Sequence, residues 1–137
     1  MKINLSEITL RVSPNSTKEP WRAGHAVWNV KVCFRGRRFS TTYNAPSNTD
    51  ISQEGRTILD CLVSDSLSFT DHPEIREFAE EYGDGEVDSK IRNTFNGCKR
   101  IADSFARVFH AEDVSEWDIG EALDARPKQF PKTIVNP

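Results

Sequence analysis

Apolar residues near the start of the chain recur at every second position. Ile3 and Leu5, then Ile8, Leu10 and Val12, alternate with polar neighbours, as a strand with one buried face requires. The phase changes at Ser6-Glu7, which predicts a bulge or short kink. Residues 13–24 carry Pro14, Asn15, Pro20 and Gly24 and read as a loop. Ala26, Trp28, Val30, Val32 and Phe34 then keep strict period two, with Asn29, Lys31 and Cys33 on the opposite face, and this is the strongest strand signal in the chain. Arg35-Gly36-Arg37 supplies the glycine that a tight hairpin needs, and Phe39, Thr41 and Tyr43 resume the alternation on the return strand. Together these segments predict a three-stranded antiparallel sheet with one apolar face that needs cover.

After Pro46 the period becomes helical. Ile58, Leu59, Leu62 and Val63 predict a helix over about 52–66, starting near Thr49 or Ser52. Asp71 to Glu74 matches a capping box, Pro73 fits a first turn, and a short helix presenting Ile75, Phe78, Ala79 and Tyr82 stops at Gly83. Asp88 or Ser89 starts the longest helix, about 89–110, with a stripe of Ile91, Phe95, Cys98, Ala102, Phe105 and Phe109 joined by Ile101 and Val108. Val114, Trp117 and Leu123 suggest a last short helix from near Glu112, weakened by Gly120. Pro127, Pro131 and Pro137 make residues 127–137 a loosely ordered tail. The expected fold is α+β: an N-terminal three-stranded antiparallel sheet packed against three or four C-terminal helices, as a single domain over residues 1–126.

At 137 residues the chain is one domain in size. It is polar, with 28% charged residues and a mean hydropathy of -0.59. No window approaches the roughly 18 consecutive apolar residues of a membrane span, and the N-terminus has no apolar run of a signal peptide, so cytoplasm is the expected location. Cys33, Cys61 and Cys98 show neither CxxC spacing nor ligand spacing to His25, His72 or His110, which favours buried reduced thiols over a zinc or redox site. Asn15-Ser16-Thr17 has glycosylation spacing without the secretory context it needs.

Charge is distributed unevenly. Residues 1–45 hold eight Lys/Arg against two Asp/Glu, and residues 46–90 hold three against twelve. The acidic turn from Asp84 resembles the opening of a calcium loop, but its sixth position is Ser89 rather than glycine and its twelfth is Phe95 rather than glutamate. The reading of that turn is a solvated connection with an N-cap aspartate. The turn belongs to a longer run of acids from Asp50 to Asp88, which can imitate duplex phosphates and enter a basic groove, although most such runs are solvated helix faces. Lys31, Arg35, Arg37 and Arg38, with Tyr43 nearby, form the opposite feature: a basic hairpin able to grip phosphates, or strand cations that discourage edge-to-edge pairing. Trp21, in its Pro/Gly loop, is the tryptophan that suggests an interface. No glycine-rich phosphate loop, HExxH or GxSxG occurs, and neither cofactor nor metal is expected.

The segment from Ile58 through Leu59, Asp60, Cys61, Leu62, Val63, Ser64, Asp65, Ser66, Leu67 and Ser68 to Phe69, the run Glu81-Tyr82-Gly83, the turn Asp88-Ser89-Lys90 and Cys98 together resemble a family of short proteins from tailed phages and prophages. The resemblance covers about residues 26–109. It departs from the family pattern at the acidic turn and transfers no catalytic residue. It implies a phage accessory protein of the kind that inhibits host defence, such as an anti-CRISPR protein. The expected function is therefore a non-enzymatic inhibitor in the cytoplasm of an infected bacterium, monomeric or homodimeric. It would place Glu74, Glu77, Glu80, Glu81, Asp84 and Glu86 against a nucleic-acid-targeting defence complex such as a CRISPR-Cas effector. The alternative is a phage accessory protein that binds DNA or RNA directly through Lys31, Arg35, Arg37 and Arg38.

Overall fold

A computed structural model describes residues 3–70, 77 and 86–137. Its elements are β1 (Ile8–Pro14), β2 (His25–Phe34), β3 (Arg37–Pro46), α1 (Gly55–Thr70), α2 (Glu86–Val108), α3 (Glu116–Ala125) and β4 (Lys132–Val135). The fold is α+β. Its sheet has four strands in the order β3-β2-β1-β4, with β1 antiparallel to β2, β2 antiparallel to β3, and β4 parallel to β1.

The alternation sorts the sheet into two faces. Ile8, Leu10 and Val12, Val30, Val32 and Phe34, and Phe39, Thr41 and Ala45 are buried on one side, with Trp28 and Tyr43 packed at its margin. Against them lie Ile58, Leu59, Leu62 and Val63 of α1, Ile101, Phe105 and Val108 of α2, and Ile119, Ala122 and Leu123 of α3. Phe109 joins the layers, with ring centroids 4.9 Å from Phe34 and 4.4 Å from Phe105. Each of the fully buried Val, Leu, Ile and Phe side chains contributes about 1.5–3 kcal/mol, which fixes α1, α2 and α3 to one face of the sheet, and no described helix covers the other.

Local chemistry explains where the elements begin and turn. Of the two alternatives at Ser6-Glu7, the phase change is the short kink rather than the bulge, a 3-10 turn over Leu5–Glu7. Asn4 accepts from the Ser6 N–H, and the Glu7 carboxylate accepts from the Asn4 N–H, so this capping box replaces ladder bonds. The β2–β3 connection is the two-residue turn Arg35-Gly36, with φ of 47° and 81°. Both values are positive, as in a type I′ turn, so Gly36 carries the freedom the sequence supplies and Arg35 takes the less common left-handed conformation.

Helix α1 starts later than the spacing predicts, at Gly55, after a 3-10 turn at Ile51–Gln53 capped by Asp50 rather than by Thr49 or Ser52. The last helix starts at Glu116 rather than near Glu112, because Ser115 and Asp118 form a reciprocal capping box there. The short helix expected around Ile75 to Tyr82 lies outside the described residues except for Glu77, which is helical and exposed.

Residues 127–137 are not simply a loose tail, and the sheet has four strands rather than three. Proline excludes helix there, but Lys132–Val135 contains none, and it pairs in parallel with Thr9–Val12. Two features hold it down. Arg56 donates to the backbone carbonyls of Leu123, Arg126 and Gln129, which end α3 and lead into the strand. Gly55 lies so close to β4 that a Cβ there would overlap Thr133 Oγ1 and press on Pro131. Neither contact follows from periodicity.

Candidate functional site

The bare face of the sheet is built by the polar half of each alternation. Across the strands, paired positions form rows: Lys132, Thr9, Cys33 and Arg38; then Ile134, Arg11, Lys31 and Ser40; then Ser13, Asn29 and Thr42. Arg11, Lys31, Arg38 and Lys132 are exposed on this face, and no acidic residue occupies any position in these rows. A depression of about 410 Å³ lies over it, lined among others by Arg11, Ser13, Asn29, Lys31, Ser40 and Asn136.

Arg11 and Lys31 are directly opposed across the β1–β2 ladder. Like charges in that position repel. No ion pair joins Arg11, Lys31, Arg38 or Lys132 to a carboxylate among the described residues. Protection of a sheet edge accounts for cations on β3 and β4, which are the edges, but not for Arg11 and Lys31 on the two central strands. A repulsive pair in the middle of a sheet face that no described helix covers lowers stability slightly and raises the positive potential above it.

One end of the face is bordered by the loop between β1 and β2. Asn15 organises it: its Oδ1 accepts from the N–H groups of Thr17 at 3.1 Å and Lys18 at 3.0 Å, and its Nδ2 donates to Asn29 Oδ1 at 3.0 Å. Lys18 Nζ donates to Thr42 Oγ1 at 3.5 Å, adding a fifth cation to the face. Val27, on this same side of β2, is buried although it lies outside the main core, and the loop is attached to its neighbours Asn29 and Asn44.

The predicted basic hairpin is divided by the same alternation. Lys31 and Arg38 reach the bare face. Arg35 and Arg37 do not: Arg35 lies 3.0 Å from Glu7 and 3.6 Å from Glu112, and Arg37 lies 3.5 Å from Glu112. Arg37 pairs with Phe34 and shares its helix-covered side, whereas Arg38 pairs with Cys33 on the open side. The Glu7 carboxyl is held below its ordinary value: the Asn4 N–H lowers it most, burial opposes this, and the hydrogen bond and charge of the Arg35 guanidinium lower it further. Tyr43 is half-buried against the core and so is not the aromatic companion of these cations. The exposed aromatic bordering the face is Trp21.

Of the predicted acidic surface, Glu77 is exposed on a helical residue and Glu86 opens α2; Glu74, Glu80, Glu81 and Asp84 lie outside the described residues. The residues missed by sequence reasoning are Arg11, Lys18 and Lys132. Arg11 was visible in principle, since it falls between Leu10 and Val12 on the polar phase. Lys132 was not, because its strand went unrecognised.

A second polar cluster lies on the helical side. Ser66 donates to Glu116 Oε1 at 2.8 Å, and His110 Nε2 lies 2.9 Å from Glu116 Oε2. Ser66 is fully buried and its proton points to a carboxylate rather than to a histidine, so the cluster is a clamp between α1, α3 and the turn at His110, not a nucleophile beside its base. Burial raises the Glu116 pKa, but the N–H of Glu116 itself, then His110 and Ser66, outweigh it and hold the carboxyl below its ordinary value. The three cysteines are free thiols, with Cys61 exposed and Cys33 and Cys98 half-buried, rather than the fully buried set expected. Among the described residues no group of His, Cys, Asp or Glu is arranged to hold a metal ion, and no helix is long and apolar enough to cross a membrane.

No protein-family model matches the chain, and no curated protein and no solved structure matches it either.

Proposed function

We propose that this protein binds nucleic acid through the open face of its sheet, with Arg11, Lys31, Arg38 and Lys132 meeting phosphates and the hydroxyls and amides between them fixing register. The observation that carries the reading is the opposed pair Arg11 and Lys31, central in the sheet and without a carboxylate partner among the described residues. A polyphosphate relieves this repulsion and releases its own counterions, a gain that neither a neutral nor a cationic partner offers. The complementary idea, an inhibitor that docks acidic residues on a defence complex, draws on Glu77, on Glu86 at the start of α2 and on four residues outside the described set, and no geometry favours it over the basic face.

The test is fluorescence anisotropy with labelled oligonucleotides over a salt series. Four phosphate contacts give a slope of log affinity against log salt of about -3 for a single strand, and replacing both Arg11 and Lys31 by alanine brings it to about half that. Salt-independent binding, or a slope indifferent to the two substitutions, removes the open face from the argument.

A further inference from the structure

The ligand of the open face can be narrowed from the loop that borders it, an inference that rests on the nucleic-acid reading above. Trp21 is 76% exposed, more than any other large apolar residue among those described. Its position is not that of a free loop tip. Its backbone N–H donates to Asn44 Oδ1 at 3.3 Å, and Asn44 lies on β3 beside Val27, on the same side of the sheet as Arg38 and Lys31. With Asn15 joined to Asn29 and Lys18 to Thr42, three side chains of the open face fasten the loop. The fold thus fixes the backbone of Trp21 beside Asn44 at the margin of the basic rows, with Asn44 about 20 Å along β3 from Arg38 at some 3.4 Å per residue, and the exposed indole projects from that point. The other strongly exposed aromatics differ: Phe130 has the Arg56 guanidinium over its ring at 5.7 Å, and Trp117 belongs to α3 on the helical layer.

We infer that Trp21 is a base-stacking platform and that the nucleic acid taken by this face is single-stranded. A single strand offers unstacked bases whose faces lie down on an indole, while its phosphates follow the cations of β1, β2 and β3. A duplex keeps its bases stacked on one another and offers an aromatic ring at the rim only sugar and phosphate. Stacking is indifferent to base identity, so the face takes single strands with little sequence preference.

The experiment compares the protein with its Trp21→Ala and Trp21→Phe variants, using an oligothymidylate, an abasic strand of equal length and a duplex of equal length. Loss of one stack weakens binding of the oligothymidylate by about tenfold in Trp21→Ala, the lower part of the range for one base on an aromatic ring, and Trp21→Phe recovers most of it. Binding of the abasic strand is weak in all three proteins and unaffected by the substitution. Equal losses on the normal and abasic strands, or no loss on either, overturn the stacking role of Trp21 while salt-dependent binding by the unsubstituted protein still supports the open face. Tighter binding of the duplex than of the single strand overturns the single-strand assignment. Failure of the unsubstituted protein to bind any of the three probes overturns both readings together.

Discussion

Arg37 and Arg38 are adjacent in one strand, yet one is neutralised and the other is not. Arg37, with Arg35 in the turn before it, faces the helical layer, where Glu112 and Glu7 wait at 3.0–3.6 Å. Arg38 faces the open side with Lys31, Arg11 and Lys132, and no ion pair joins these four to a carboxylate among the described residues. The chain supplies the same residue type to both regions. What separates them is the pleat, which sends neighbours to opposite faces, and the layer each face meets. Cations at the tip serve the fold; those on the open face give it no visible return, which marks them as available to a ligand.

The largest effect expected from this contrast comes from reversing charge on the open face. Arg11→Glu combined with Lys31→Glu replaces two attractive phosphate contacts by two repulsive ones. Affinity for a single strand at low salt should fall by at least about a hundredfold, roughly 2.7 kcal/mol, with far-ultraviolet circular dichroism unchanged. Retention of affinity within a few fold would show that the ligand sits elsewhere. A matched charge should respond differently. Replacing Glu116 by alanine strips the fully buried Ser66 hydroxyl of its acceptor and lowers unfolding stability by about 2 kcal/mol, read from urea midpoints, without touching nucleic-acid affinity.

The same carboxylate gives a pH signature. Its folded-state pKa lies below its unfolded one, so the stability it adds is fully present above the ordinary carboxylate value of 4.5 and is lost as pH falls through the folded value. Glu116→Gln keeps an oxygen for Ser66 and removes the titration. Its urea midpoint should therefore fall less steeply than that of the parent protein over that acid range. Parallel pH curves for the two proteins would remove the clamp from the acid stability of the fold.

How far the contrast was legible in the sequence differs from element to element. Alternation in 26–43 was enough to place Lys31 among outward-facing residues and Val30 and Val32 among inward ones, because period two has only two phases. The helical stripes at Ile58 to Val63 and at Ile101 to Phe109 were equally readable, since each carries a wide apolar face. The opposition of Arg11 and Lys31 was not, because register depends on the loop that joins β1 to β2, and that loop has no turn of fixed length. Strand β4 was hidden by its brevity and flanking prolines: it exists through a parallel pairing to β1 more than 120 residues earlier in the chain and through Arg56 and Gly55, both tertiary contacts. The pairing of Arg35 and Arg37 with Glu112 is likewise a product of the folded layers, and reading the hairpin as one basic patch missed it.

Smaller effects sharpen the comparison. Lys31→Glu alone places a carboxylate opposite Arg11 and turns a repulsive cross-strand pair into an attractive one. The variant should be more stable than the parent by about 0.5 kcal/mol, seen as a rise of about 2 °C in Tm, while binding nucleic acid more weakly. Stability and affinity moving in opposite directions is the signature of a residue kept for its ligand, and a fall in both would assign Lys31 to the fold.

The smallest effect belongs to the hairpin tip. Arg35→Ala combined with Arg37→Ala removes three ion-pair contacts that are all partly exposed, so stability should change by less than about 1 kcal/mol. Affinity should change by less than about threefold, because two charges already offset by Glu7 and Glu112 add little to the potential over the opposite face. Glu112→Gln is the companion measurement. It leaves Arg37 without its carboxylate and Arg35 with Glu7 alone, so any contribution of the tip to binding must then increase. If the double alanine variant instead loses as much affinity as the open-face reversal, ion pairing does not withdraw a cation from ligand binding in this protein. The distinction between matched and unmatched charge would then give way to the simpler rule that every cation near the hairpin counts.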